Sequence, residues 1–395
     1  MTAPAAGDVI IRIAARGDGV SASGQHRAFA VPGDVIAPDG TLIEGAGHRV
    51  PPCRHFPECG GCQLQHLTDA AYADYCASRI AGALAQHGLT TDIRRAHLSP
   101  PRTRRRAALR ALRAGGRVLI GFNAAKSHNV VDMLECHVLD PRLLALVAPL
   151  RKLLGTMMGP KRGSADVQLT LTDQGVDVAL KGVSTDGIEA VEALTAFCER
   201  HQLARLTIDE GYGPEPRYEP KRVTISLSGH PVAFPSGAFL QATADGEAAL
   251  VAAVREAVGA AKRPIDLFAG LGTFALALDG EVTAAEAARD AVLALMATRR
   301  VAAVHRDLYR RPFASAELDA HDAIVLDPPR SGALEQVRQI AASAVPRVAY
   351  VSCNPATFAR DAELLVAGGY RLGWVRPVGQ FRWSTHVELA GAFSR

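Results

Sequence analysis

The sequence predicts an α/β protein: a parallel sheet wound with helices at the carboxyl-terminal end, a mixed α+β middle, and a short β-rich start. Three patterns carry this expectation. From about residue 236, the strand candidates Ile265–Phe268, Glu281–Ala285, Ala323–Leu326 and Arg347–Val351 are separated by helical stretches, as expected for parallel strands joined by crossovers. In the middle, helical stretches (Asp69–His87, Pro141–Leu154, Gly187–Gln202) mix with strand-like ones (Ala165–Leu171, Gly175–Lys181, Arg205–Ile208, Val223–Leu227). Residues 8–50 are short β-like pieces broken by Gly and Pro, which suits a small barrel or part of one.

The 395 residues suggest two or three domains at roughly 150 residues each. The pattern divides the chain at 1–50, 51–235 and 236–395, with Pro51-Pro52 at the first boundary. Hydrophobic residues at 48% and charged residues at 21% exclude long disorder. No window approaches the roughly 20 apolar residues of a membrane span. Met1–Asp8 lacks the basic region and apolar core of a secretory signal. A cytoplasmic monomer without a membrane partner is therefore expected. Seven cysteines, an odd number, argue against a disulfide framework and direct attention to metal or catalysis.

A net charge of +4 does not announce a nucleic-acid partner, but the charge is uneven. Ile93–Val131 contains no Asp or Glu and ten basic residues: Arg94, Arg95, Arg102, Arg104, Arg105, Arg106, Arg110, Arg113, Arg117 and Lys126. A hairpin turning at Gly115-Gly116 would set basic side chains along a ribbon able to track phosphates. A solvated arginine face is the alternative.

Four segments carry chemistry. Pro264-Ile-Asp266-Leu-Phe268-Ala-Gly270-Leu-Gly272 reads as a buried strand entering a Gly-rich turn and then a helix. Glu286 ends the next strand candidate, 20 residues after Asp266 (286 − 266), where an acid suits a ribose diol. The loop lacks the third glycine of a dinucleotide fingerprint, so S-adenosylmethionine fits better than a nicotinamide cofactor. Asp327-Pro-Pro-Arg330 follows an apolar strand, and Ser352-Cys353-Asn354-Pro355 follows another. Ligands of α/β sheets bind at such carboxyl ends. Arg330 stands where amino-directed methyltransferases carry an aromatic residue. Cys353 is placed to attack a bound base, although cysteine is more often a small buried apolar residue. His386-Val-Glu388 lies near the end of the chain. Separately, Cys53-x5-Cys59-x2-Cys62, with Cys136 74 residues later (136 − 62), offers four thiolates that suit zinc or an iron–sulfur cluster. Cys76 and Cys198 fit helical core positions, and His66 and His137 read as structural.

The segments Asp266–Phe274, Asp327–Arg330, Ser352–Pro355 and His386–Glu388, in this order, resemble the RNA 5-methyluridine (uracil-5-) methyltransferase family, its iron–sulfur-containing rRNA type. Ala238-Phe-Leu-Gln241 is similar to that family's Phe-x-Gln segment. The likeness spans about residues 50–395. It implies a Rossmann-like S-adenosylmethionine-dependent methyltransferase sheet, a central α+β iron–sulfur domain, and a shortened OB-like (TRAM-like) β segment at the start. It implies methylation of uridine carbon 5 with Cys353 as nucleophile and Glu388 as proton acceptor. The cofactor residues it implies are Gln241, Phe268, Gly270, Gly272, Glu286 and Asp327. It turns the four cysteines Cys53, Cys59, Cys62 and Cys136 toward a [4Fe–4S] cluster, and it favours 23S ribosomal RNA over transfer RNA as partner. Activation of Cys353 as a thiolate calls for an electropositive or hydrogen-bonded surround. Thr243 and Thr273 depart from the family pattern without removing a group that the mechanism requires. A non-catalytic iron–sulfur RNA-binding protein with a relic methyltransferase domain is the rival reading. A DNA cytosine-5 methyltransferase is disfavoured because its cysteine normally comes early, in a Pro-Cys context.

Overall fold

The computed structural model describes residues 7–158, 163–185 and 187–395. Most of Met1–Asp8, read above for a signal, lies outside the described residues. The described residues build three sheets of five, six and nine strands and a separate two-stranded ribbon. Among the described residues no helix is long and apolar enough to cross a membrane.

The first sheet is antiparallel and made of very short strands, from Asp8–Ile13 to Leu42–Ile43. Buried Asp34 organises its turns, accepting from the amides of Val31 (2.7 Å) and Gly45 (2.8 Å). The second sheet carries the expected hairpin, Arg106–Ala114 paired with Arg117–Gly121. Gly115 and Gly116 turn it at φ 56° and 81°, the pair of positive values that a tight hairpin requires. Along the first arm Ala107, Leu109 and Ala111 are buried while Ala108 and Arg110 face out, the period of a half-buried strand. The helices Pro141–Met157 and Ile188–Arg200 help to close this sheet's separate core.

The nine-stranded sheet runs Ala302–His305, Thr283–Glu286, Pro264–Leu267, Ala323–Leu326, Arg347–Ser352, Glu388–Ser394, Arg371–Gly379, with Asp92–Ile93 and His97–Leu98 at its far side. Its first five strands are parallel, as the alternation predicts. Three details differ. Glu388–Ser394 inserts antiparallel between Arg347–Ser352 and Arg371–Gly379, so the sheet is mixed. The Gly-rich turn enters only a 3₁₀ turn, Ala275–Ala277, not an α-helix. Residues 69–98 pack on this sheet rather than on the central one. The helix Asp69–Ala85, capped by Thr68, buries Tyr72, Tyr75, Cys76, Ile80 and Leu84 in the same core as Tyr350 and Phe358. Each fully buried Leu or Ile there contributes about 1.5–3 kcal/mol.

Candidate active site

The carboxyl ends of the parallel strands open into one cleft, of about 2600 Å³ including its mouth. Gln241, Phe268, Gly270, Glu286, Asp327, Cys353 and Glu388 all line it. Side chains separated by up to 147 residues (388 − 241) in the sequence therefore meet in one place. Gly272 is the exception among the expected cofactor positions. A Cβ there would lie 2.4 Å from Leu295 Cδ2, so this glycine serves packing behind the turn. Phe268 adopts φ 64°, a left-handed backbone that costs a bulky residue roughly 1–3 kcal/mol. Its ring lies in the wall of the cleft, 5.4 Å from the ring of Tyr309. Glu286 holds the loop open: its carboxylate accepts from Gly270 (2.9 Å), Ala287 (2.8 Å) and Ala288 (2.7 Å) amides.

Asp327 and Glu388 make the cleft lining acidic, and Asp266 lies buried outside that lining. Asp266 is wholly buried, with one oxygen accepting from Ala275 N at 2.9 Å and the other without a partner. Burial pushes its pKa up to about 8. Burial pushes Glu388 up to about 7, against a hydrogen bond from Gln380. Asp327 is raised well above the carboxylate range by burial and by the charges of Glu388 and Asp266. Cys353 is half-buried, and burial together with Glu388 and Asp327 pushes its thiol up to about 11. The expected electropositive surround is thus not what the fold provides. The strand leading into Asp327 and the antiparallel strand that begins at Glu388 flank the one that leads into Cys353, and the charge of Arg330 opposes theirs.

Gln380 is a site residue that sequence reasoning missed. Its side-chain oxygen accepts from Ala242 N at 2.8 Å, which fixes the amide so that its Nε2 donates to Gln241 Oε1 at 2.6 Å. Gln241 in turn aims Nε2 toward Asp327 Oδ2 at 3.5 Å. A buried chain of amides thus joins Glu388 to Asp327. The departure at Thr243 is structural: its hydroxyl caps the helix Ala244–Val258 through Gly246 N and meets Ser99 Oγ at 2.8 Å.

The four expected metal-ligating cysteines, Cys53, Cys59, Cys62 and Cys136, line a second cavity with Phe56, Arg104 and Phe122. Burial raises the thiols of Cys53 and Cys59 and pushes Cys62 up to about 12. Among the described residues, however, no group of three or more His, Cys, Asp or Glu side chains has the geometry to hold a metal ion. The thiols share a cavity without forming a ready ligand set there. Cys76 and Cys198 are fully buried core residues, as expected. Arg104 and Phe122 line both this cavity and the cleft.

Much of the basic run is used internally. Arg105 makes a buried pair with Glu247 at 2.6 Å, Arg94 reaches Glu256 at 2.5 Å, and Arg110 reaches Asp166 at 2.6 Å. Arg106 donates to Leu240 O at 2.9 Å, and Arg113 binds the carbonyl oxygens of Gly155 and Met158. Arg95, Arg102, Arg117 and Lys126 remain exposed.

Comparison with known proteins places this arrangement. The family model for tRNA (uracil-5-)-methyltransferase matches residues 308–394, the stretch holding Asp327, Cys353 and Glu388. An uncharacterized RNA methyltransferase of Zymomonas mobilis is 49% identical over 98% of this chain and 99% of its own length. A 23S rRNA (uracil(1939)-C(5))-methyltransferase of Aeromonas salmonicida is 30% identical over 90% of this chain and 84% of its own. The crystal structure of a Pyrococcus abyssi tRNA (uracil-54, C5)-methyltransferase, in complex with S-adenosyl-L-homocysteine, has the same fold. It superposes with a TM-score of 0.76 over 98% of this chain and 99% of that one, at 21% identity. The chain belongs to the RNA (uracil-5-)-methyltransferase family.

Proposed function

We propose that this protein methylates carbon 5 of a uridine in RNA, with S-adenosylmethionine as methyl donor. The observation that carries the reading is the convergence of Cys353 and Glu388 on one cleft with Gln241, Phe268, Glu286 and Asp327. Carbon 5 of uracil is too weak a nucleophile to take a methyl group unaided. Addition of the Cys353 thiolate to carbon 6 makes an enolate with carbanion character at carbon 5. Glu388, with a pKa near 7, is poised to remove the carbon-5 proton once the methyl is in place. The carbon 6–sulfur bond then breaks and restores the ring. The target base must leave its stack to reach the cleft.

The acidic lining supports the cofactor assignment. S-adenosylmethionine supplies an electrophilic methyl on a positively charged sulfonium. Asp327 and Glu388 line the cleft, and a bound cation would favour the charged forms that burial disfavours. Glu286 would hold the ribose diol and Phe268 would form the aromatic wall.

The four-thiol cavity supports reading a soft-metal centre there, because four sulfur donors line it, with His55, His137 and Glu135 beside them. Cys53, Cys59, Cys62 and Cys136 would hold a [4Fe–4S] cluster whose role is to shape the RNA-binding part, since methyl transfer moves no net electrons. The five-stranded amino-terminal sheet fits a shortened TRAM-like module, with the central and catalytic parts following at about 51–235 and 236–395. The protein is expected to act in the cytoplasm. The likeness to the Aeromonas enzyme favours 23S ribosomal RNA; the Pyrococcus fold likeness keeps transfer RNA as the second reading. Mass spectrometry of nucleosides from fractionated RNA of a deletion strain decides between them. Loss of one 5-methyluridine from 23S RNA is expected. Unchanged 5-methyluridine at every ribosomal and transfer-RNA site would sink the proposal.

A further inference from the structure

We propose that Tyr309 is a positioning residue, a clasp that joins the aromatic wall of the cofactor cleft to the turn carrying Arg330. The inference rests on the methyltransferase reading above, but specific contacts carry it. Tyr309 follows the strand Ala302–His305, which stands at the edge of the sheet. Two strands, Thr283–Glu286 and Pro264–Leu267, separate that edge from Ala323–Leu326. Tyr309 nevertheless spans the gap. Its ring meets the Phe268 ring at 5.4 Å, and its hydroxyl lies 2.9 Å from both Gly332 O and Ser331 Oγ.

The turn it reaches is held from two sides. Asn354 Nδ2 and Thr357 Oγ1 donate to Arg330 O at 3.1 and 3.3 Å, and Arg360 donates to Ser331 O at 3.2 Å. Asp361 accepts from Ala333 N at 2.9 Å. Those four partners all belong to the segment just after Cys353. The next carbonyl, that of Gly332, goes to Tyr309. Three successive carbonyls are thus captured, two by the nucleophile's own segment and the third from the cofactor side. The turn has little slack: Gly332 sits at φ 77°, and a Cβ there would lie 2.6 Å from Arg360 and 2.7 Å from Asp361. Holding this turn holds Arg330, the group whose charge favours the Cys353 thiolate. The tyrosine ring serves the cofactor and its hydroxyl serves the nucleophile.

Two variants of the full chain separate these roles. Tyr309→Phe keeps the ring against Phe268 and removes the tether. It should bind S-adenosylhomocysteine within about twofold of the wild type. Alkylation of Cys353 by iodoacetamide, resolved by peptide mass spectrometry, should slow by roughly 3- to 10-fold, and kcat on RNA should fall similarly, the effect of one hydrogen bond. Tyr309→Ala should in addition weaken S-adenosylhomocysteine binding by about tenfold, the loss of an aromatic contact. Wild-type alkylation and kcat in Tyr309→Phe would overturn the clasp. So would wild-type cofactor affinity in Tyr309→Ala, or losses that merely follow a lowered melting temperature. Absence of RNA methylation by the wild type would count against the methyltransferase reading instead, and the alkylation and cofactor measurements would still decide on Tyr309.

Discussion

Among the described residues, cysteines line both the catalytic cleft and a second cavity, and the two surround the thiol differently. In one, Cys53, Cys59, Cys62 and Cys136 share the wall with residues that include Phe56, Phe122, Arg104, His55, His137 and Glu135. In the other, Cys353 stands alone among Asp327, Glu388 and Arg330. Burial raises thiol pKa in both. The neighbours make the difference. Four sulfur atoms line one cavity, and the proposed metal centre would deprotonate them on binding. One sulfur beside a carboxyl pushed up to about 7 suits the proposed nucleophile and proton acceptor. Cys76 and Cys198, buried in apolar cores, show the third fate of cysteine. Residue type alone therefore does not separate ligand, nucleophile and filler; the polar company does.

The sharpest way to break this comparison is to exchange sulfur for another atom in each cavity. Cys353→Ala should lower RNA methylation by at least about 1000-fold while leaving any iron content unchanged, as assayed by methyl incorporation and metal analysis. Glu388→Gln should lose turnover yet accumulate the covalent RNA adduct, visible as a shifted band on a denaturing gel. Cys62→Ser should do the reverse: iron and its visible absorbance should be lost from anaerobically purified protein, with methylation lowered less severely. A Cys62→Ser protein that keeps its iron would remove the donor-set half of the comparison.

A smaller effect tests the buried carboxyls. Asp266 and Glu388 have pKa values raised to about 8 and about 7 from ordinary values near 4. The folded chain thus holds protons that the unfolded chain releases. Their stabilising contribution is full below about pH 4 and is lost as pH rises through 7 and 8. Buried His66, lowered to about 4, adds stability as pH rises to 6.5 and little beyond. The melting temperature of the cofactor-free protein should therefore fall between about pH 6.5 and 8, and Asp266→Asn should flatten that fall. The smallest effect is expected at Thr243. Thr243→Ala should cost about 1 kcal/mol through loss of the helix cap, whereas Thr243→Asn should cost a few tenths, as measured by denaturant unfolding.

The legible part of the site was the part written at strand ends. Asp327 and Cys353 each follow a short apolar run with local punctuation, and the parallel sheet brings those ends together; Glu388 came from the family resemblance, and it enters the same cleft on an antiparallel strand. Gln380 was not legible, because its meaning lies in a contact with Gln241, 139 residues away. The packing of residues 69–98 on the last sheet was hidden for a similar reason. Its strands Asp92–Ile93 and His97–Leu98 are two residues long and pair with Arg371–Gly379. The basic run misled in degree: Arg105, just before the central hairpin, is spent on buried Glu247 of the helix Ala244–Val258. Charge counts do not show which arginines are already paired.

The central claim, that Cys353 forms a bond to uridine carbon 6, is tested most directly by trapping. The protein is incubated with S-adenosylmethionine and 23S RNA transcribed with 5-fluorouridine, in which fluorine blocks the final proton removal. Nuclease digestion and peptide mass spectrometry of the product should show a methylated fluorouridine bound to the peptide containing Cys353, and no adduct in Cys353→Ala. An adduct on another cysteine, or methyl transfer to unmodified 23S RNA by Cys353→Ala at the wild-type rate, would contradict it.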